Sequence, residues 1–441
     1  MKKRNLTVVA GTLLTAAIML TACGGSNSTA QDTAKETTKE SAAAVETTKE
    51  SAAPVSLTVM TNMAFEQGKI LSEIFTSFTA ENTNIKVEDI TPGKGYEDLM
   101  KVKMASNDMP DLFSTHGWAK IRYADFVADL KDRAWAKDID PGFKPNIADE
   151  TGKVYTLAFD QDKSGIVYNV DIFNQYGIEV PKTIDEFMAA CETIKTKSNG
   201  KVTPIACATE GWEEAQYFDY FATSLLITPK ENSAQQLLDG SFDWNKWTPL
   251  AEKWQEMYKK GYINKNMLTA KYTDNSKSLG EGTAAIGFYG AYIIDEAKKV
   301  NPNVKLSMMP IPAWTSDDTP TFAGGEKSTL AVWKDSKNLD AALKLIDFCA
   351  KPENVEKMCA FTKLPPALTT AKMNAGEMQS VYEKFADLRT MPYFDRVYLA
   401  NGMWDVMCKN SASLIGGAST PQKFSENMKN ESARLRAAQQ K

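Results

Sequence analysis

Three observations lead to an α/β fold in two lobes. From residue 57 to residue 441 the chain is far longer than the ~100–200 residues of one domain, so two lobes are expected. Short apolar or alternating runs take turns with segments of helical periodicity, the pattern of a parallel-rich sheet covered on both faces. The composition is that of a globular protein, 43% hydrophobic and 24% charged. A net charge of −5 without any Lys/Arg cluster also argues against a nucleic-acid partner.

The elements follow in order. Residues 57–61 (LTVMT) read as a buried strand, and residues 68–79 carry Ile70, Leu71, Ile74, Phe75 and Phe78 at helical spacing. Residues 85–90 alternate as a second strand, 96–105 return to helix, and 110–113 form a third strand. In such sheets ligands gather at the carboxyl ends of strands, so the loops 62–66 and 114–118 are expected to line a site. Further on, Thr183 reads as a helix N-cap with Glu186 as its capping-box partner.

The N-terminus fixes where all this works. Met1-Lys2-Lys3-Arg4 is cationic, residues 6–20 are apolar, and Leu20-Thr21-Ala22-Cys23-Gly24 closes the stretch. This is the pattern of a signal peptide over residues 1–22, too short to span a bilayer comfortably. The Leu-Thr-Ala-Cys-Gly ending resembles a bacterial lipobox, which implies that Cys23 is acylated and becomes the mature N-terminus. The expected location is the outer face of the cytoplasmic membrane, lipid-anchored and extracellular. Residues 23–56 are mostly Ser, Thr, Ala, Lys and Glu with no aromatic residue, and carry a direct repeat at 36–43 and 46–53. Such a stretch cannot bury enough apolar surface to order itself, and as a flexible tether it reaches about 30 Å.

Cysteine and histidine usage removes several enzyme classes. Beyond Cys23 the cysteines are Cys191, Cys207, Cys349, Cys359 and Cys408, an odd number in no metal-like spacing. They read as buried thiols, with one disulfide possible and a disulfide framework excluded. His116 is the only histidine, which excludes Ser-His-Asp and Cys-His chemistry and multi-histidine metal sites. No cofactor is expected. Two carboxylates alone could still hydrolyse a glycoside, but Asp160 and Asp162, two residues apart in a strand-like run, are better placed to grip hydroxyls.

The middle of the chain carries the sharpest motifs. Gly152-Lys153-Val154-Tyr155 is followed by Tyr168-Asn169, Asp171-Ile172-Phe173, Gly177-Ile178 and Pro181-Lys182-Thr183-Ile184-Asp185-Glu186-Phe187. Later come Leu279-Gly280-Glu281-Gly282-Thr283-Ala284-Ala285-Ile286-Gly287, Pro310-Ile311-Pro312, Gly324-Gly325, Leu364-Pro365 and Thr420-Pro421-Gln422-Lys423-Phe424. In this order they closely resemble the family 1 extracellular solute-binding proteins, the maltose-binding-protein-like receptors of sugar ABC importers. The resemblance implies a two-lobed periplasmic-binding-protein-like fold with a central ligand cleft and an interlobe hinge. Lobe 1 would comprise residues 57–164 and 308–350, and lobe 2 residues 165–307 and 351–441. It further implies a carbohydrate ligand captured by hinge closure, delivery to ABC permease subunits with a separate ATPase, and a monomeric receptor rather than an enzyme. A lipoprotein presenting its ligand to a sensor is the alternative.

Candidate ligand residues combine the expected loops with the family layout. Flat aromatic faces suit sugar C–H surfaces, and Trp118, Trp212, Tyr289, Tyr292 and Trp404 occupy the corresponding positions, with Tyr289 preferred to Tyr292. Helix or sheet core is the competing explanation for each aromatic. Carboxylates and amides suit hydroxyls, and Asn62, Glu66, Asp160, Asp162 and Glu326 are the candidates. Arg122, Arg389 and Arg396 are read as lying away from these loops, which speaks against an acidic sugar.

Overall fold

The computed structural model describes residues 53–63, 65–92, 95–210 and 212–439. The expected signal peptide, Cys23 and most of the tether lie outside the described residues. Strand β1 (Val55–Met60) takes in the last two residues of the expected tether. It runs parallel to β2 (Ile85–Ile90), in register from Val55 opposite Ile85 to Met60 opposite Ile90. Its other neighbour, also parallel, is β3 (Leu112–Phe113). The helix Phe65–Glu81 joins β1 to β2 and buries Leu71, Ile74, Phe75 and Phe78, the stripe its periodicity predicted.

The sheet is completed by β4 (Leu157–Ala158) and by a strand from much later in the chain, β11 (Thr329–Val332), in the order β2-β1-β3-β11-β4. A second sheet has the order β7-β8-β6-β9, from β6 (Ile166–Asn169), β7 (Thr203–Ala206), β8 (Ala284–Gly287) and β9 (Leu306–Met309). Each sheet has its own apolar core, and these are the two lobes. The second core is rich in rings: Tyr217 stacks on Trp254 with centroids 4.6 Å apart, and Phe218 lies against Trp247 and Phe424. Its central helix, Glu213–Leu226, is buried on almost every face, so the acidic Glu213, Glu214 and Asp219 are carried inside with it.

Between the lobes lies a third, small sheet. Here β5 (Gln161–Ser164) pairs antiparallel with β10 (Phe322–Glu326), and β12 (Thr390–Pro392) runs parallel to β10 on its other side. The chain therefore passes from β4 to β6 through β5, and returns from β9 to β11 through β10. The strands approach so closely at Gly324 that a Cβ there would sit 1.7 Å from the carbonyl oxygen of Asp162.

Two local expectations are refined. Thr183 caps the helix Ile184–Lys197, its Oγ1 accepting the Glu186 N–H at 3.2 Å. The Glu186 carboxylate, however, accepts the N–H of Lys182 at 2.6 Å rather than that of Thr183. The helix Pro352–Thr362, expected with the second lobe, buries Val355, Met358 and Cys359 in the core of the first. Its proline restarts a helix directly after Leu339–Cys349 ends, and the chain packs back on the same sheet, beside the helix Phe65–Glu81. Leu364 already joins the apolar cluster of β6 and β9, Ala367, Leu368 and Ala371 return to the first core, and from Ala375 onward the buried residues leave that core for good. The five cysteines of the described residues are all buried, and none of them is joined in a disulfide. No helix among the described residues is long and apolar enough to cross a membrane.

Candidate functional site

A cavity of about 700 Å³ opens between the lobes, floored by the crossing strands. Its first-lobe wall is the loop after β3. At His116 and Gly117 this loop turns through left-handed backbone, φ 46° and 95°. It is held from below: Thr329 Oγ1 accepts the N–H of Thr115 at 3.0 Å and that of His116 at 3.3 Å. The Glu326 carboxylate accepts the Thr115 hydroxyl at 2.7 Å and the Ala119 N–H at 2.6 Å. Trp118 is thereby presented to the cavity. The His116 ring meets Glu97 at 3.0 Å, and burial holds its pKa below the ordinary histidine value despite that carboxylate. Burial works to raise the Glu97 pKa, but the hydrogen bonds and charges of His116 and Arg122 prevail and hold it down.

A row of alternating rings and guanidinium groups crosses the cleft. Asp162 accepts the hydroxyl of Tyr393 at 2.8 Å. Arg396 lies 4.4 Å from the centre of the Tyr393 ring and 5.2 Å from that of Trp118. Arg122 lies 4.0 Å from the same Trp118 ring. From there its Nη2 donates to Asn401 Oδ1 at 2.9 Å, joining the first-lobe wall to the second.

The second-lobe wall offers Trp212, Tyr292 and Trp404 with Gln216 and Asp395. Trp212 is the residue preceding the helix Glu213–Leu226, and Trp404 stands in the first turn of Met403–Ile415. Gln216 Nε2 and Asp395 Oδ1 are buried atoms with no hydrogen-bond partner among the described residues. Burial pushes the carboxyls of Asp395 and Asp219 up to about 7, and Asp219 Oδ1 accepts the Asp395 N–H at 2.8 Å. An acceptor and a donor, both carried by residues that line the cavity and both unused, suit a ligand carrying hydroxyls.

Among the residues singled out from sequence, the cavity brings together Trp118, Asp162, Trp212, Tyr292 and Trp404. The others stand elsewhere. Asn62 accepts the Ser114 hydroxyl at 2.7 Å beside the loop after β3. Glu66 is exposed in the first helical turn, paired with Lys69 at 2.5 Å, because the helix starts earlier than its spacing predicted. Asp160 is fully buried, with both carboxylate oxygens on Ser328. Tyr289 is 1% exposed and packs edge-on beneath Trp212, whereas Tyr292 is 43% exposed. Glu326 supports the Trp118 loop rather than facing this cavity. Arg122 and Arg396, read from sequence as distant, line it and overturn that expectation. Arg396, Tyr393 and Asp395 were missed because they come from the short helix Phe394–Tyr398 and its approach, which follows the third crossing rather than a strand of either main sheet.

The buried carboxyl of Asp219 yields a first prediction. Its folded pKa stands above its unfolded value, so the folded state loses stability as pH rises through that interval. Asp219→Asn removes this penalty while keeping an oxygen for the Asp395 N–H. The expected result is a melting temperature a few degrees above wild type at pH 8 and no gain at pH 5, read from thermal melts in matched buffers.

Comparison with known proteins assigns this architecture. Residues 58–356 match the family model described as bacterial extracellular solute-binding protein. The melibiose/raffinose/stachyose-binding protein MelE of Bacillus subtilis is 40% identical over 386 residues, covering 86% of this chain and 90% of its own. The chain belongs to the bacterial extracellular solute-binding protein family. Two solved members of similar form agree with that. A binding protein of Bacillus subtilis in an open conformation is 39% identical, with a TM-score of 0.84 over 88% of this chain and 99% of its own. A sugar transporter protein of Bacillus licheniformis, solved in complex with stachyose, is 43% identical, with a TM-score of 0.78 over 86% of this chain and 100% of its own. The solute-binding protein described here thus shares its two-lobed fold with receptors seen both open and occupied.

Proposed function

We propose that this protein captures a neutral, galactose-containing oligosaccharide in the interlobe cleft and hands it to the permease of an ABC importer. The observation that carries the reading is the pairing of Trp118 on one wall with Trp212 and Trp404 on the other, around unused hydroxyl partners. The 40% identity to a melibiose/raffinose/stachyose-binding protein supports the ligand class. Charge supports neutrality. The arginines of the cleft are already engaged, Arg122 by Glu97 and Asn401, and Arg396 by two rings.

Capture proceeds by closure of the lobes about β5 and β10. Ligand contacts from both walls exist together only when the lobes are closed, and that difference in affinity drives the equilibrium. Binding without cleavage is the reading for Asp160 and Asp162, since Asp160 faces Ser328 inside the protein rather than the cleft. The protein works as a monomer outside the cytoplasmic membrane, tied there by lipid on Cys23.

The test is a thermal-shift screen of residues 53–441 against melibiose, raffinose, stachyose, maltose and short peptides. A sugar at 100 times its dissociation constant adds about 2.7 kcal/mol to stability. A saturable shift with raffinose or stachyose, and the sugar recovered intact by chromatography, is expected. A peptide-only response defeats the ligand class, and recovered cleavage products defeat the binding-only reading.

A further inference from the structure

We propose that Glu326 is the positioning residue through which the hinge sets the Trp118 loop, and that closing the cleft drives a proton from its carboxyl into solvent. The inference rests on the closure reading above and deepens it by naming a regulator of the same site.

The geometry is specific. Glu326 is the last residue of β10, the strand that returns the chain from the second lobe to the first. Its side chain is 4% exposed and holds both ends of the loop, through the Thr115 hydroxyl and the Ala119 N–H. Its backbone carbonyl faces the second lobe, where Arg396 Nη1 lies 3.5 Å away. Any rotation of β10 therefore pulls on the loop that carries Trp118. The loop is fitted tightly against Arg396 as well, since a Cβ on Gly117 would stand 2.4 Å from Arg396 Nη1.

Charge gives the coupling its direction. A carboxylate accepts from both loop donors, whereas the protonated acid keeps one oxygen for the Ala119 N–H and reverses the bond to Thr115, whose hydroxyl then accepts. Burial pushes the Glu326 carboxyl up to about 7, against the pull of its hydrogen bonds with Ala119 and Thr115 and of the charges on Arg396 and Lys120. Arg396 belongs to the second lobe, so opening the cleft withdraws a favourable charge and closing it restores one. Closure thus favours the carboxylate, and affinity for a ligand that requires closure rises as pH increases through this range.

Other ionisable groups surround it. Tyr123 lies beside the loop with its phenol pushed up, chiefly by burial, and stays neutral throughout. His116 and Glu97 form a pair held below their ordinary values. Asp395 and Asp219, behind Arg396, titrate in the same range as Glu326. The reading that isolates Glu326 is consequently the ratio between wild type and Glu326→Gln, a permanent stand-in for the protonated acid.

Stachyose affinity is measured for both proteins from pH 5.5 to 8.5, with tryptophan emission recorded in sugar-free samples and in Trp118→Phe. The expected ratio of dissociation constants, Glu326→Gln over wild type, is near one at pH 5.5 and climbs with pH. A half-unit fall in pKa on closure makes it about threefold. Sugar-free wild type should show an emission change near pH 7 that shrinks equally in Glu326→Gln and in Trp118→Phe, whatever Asp395 and Asp219 contribute through the other tryptophans. A constant ratio overturns the proton linkage, and an emission change in Glu326→Gln as large as that of wild type overturns the positioning role. If stachyose binds neither protein at any pH, the ligand class proposed above fails, while the emission arm still decides the role of Glu326.

Discussion

Gly324→Ala is expected to weaken ligand capture and thermal stability together, the largest single effect of any substitution at the crossing. The added Cβ would lie 1.7 Å from the Asp162 carbonyl oxygen, which is backbone and cannot rotate away. β5 and β10 must then separate, although their pairing runs from Ala323 opposite Ser164 to Glu326 opposite Gln161. Overpacking costs ~1–3 kcal/mol, and the upper end applies where the clash is with backbone, enough to lower the melting temperature by several degrees. Because Asp162 floors the cleft and Glu326 supports Trp118, ligand affinity falls as well. Gly95→Ala is the matched control: its Cβ meets nothing within 4 Å and its φ is −86°. Thermal melts with and without stachyose read both effects, and an unchanged melt for Gly324→Ala would contradict the close approach of the strands.

Asp395→Asn should separate binding from folding. The asparagine keeps an oxygen able to accept the Trp404 N–H, which the wild-type carboxylate accepts. What it loses is the charge on an otherwise unused acceptor at the cleft wall. Hydrogen bonds to a charged group are worth ~1.5–3 kcal/mol, which corresponds to roughly a 10- to 150-fold loss of sugar affinity. Loss should be greatest above pH 7, where the wild-type group is ionised, with the melting temperature of sugar-free protein unchanged or slightly raised. Calorimetric titration with stachyose at pH 6 and pH 8 checks it, and equal affinities at pH 8 would exclude Asp395 from the ligand's partners.

How far the sequence reveals this protein depends on how local each signal is. The stripe Leu71, Ile74, Phe75 and Phe78 announces its helix because period and burial coincide within one element. Thr183 announces its cap for the same reason. The helix Pro352–Thr362 is equally visible as a helix, but its apolar face says only that Val355 and Met358 are buried, not against which lobe. Tyr289 and Tyr292 differ by three residues and share a loop, and only the turn into the helix Tyr292–Val300 decides which ring meets solvent. Arg122 and Arg396 were hidden more deeply. Long cationic side chains usually signal exposed surface; Arg122 stands close to Trp118 in sequence, but Arg396 reaches the same ring from more than two hundred positions away.

The strand order of the first sheet bears on how the chain reaches its native state. β3 and β4 are separated by β11, which arrives only at Thr329. A nascent chain that has made everything up to β10 therefore still lacks the central staple of its first-formed sheet. Such non-local closure slows folding relative to a chain whose neighbours in sequence are neighbours in space. The first half of the molecule must wait, incompletely assembled, for the last third of it to emerge. A fragment ending before residue 329 has no finished lobe to fall back on, and should be degraded or aggregate rather than persist as an independent domain.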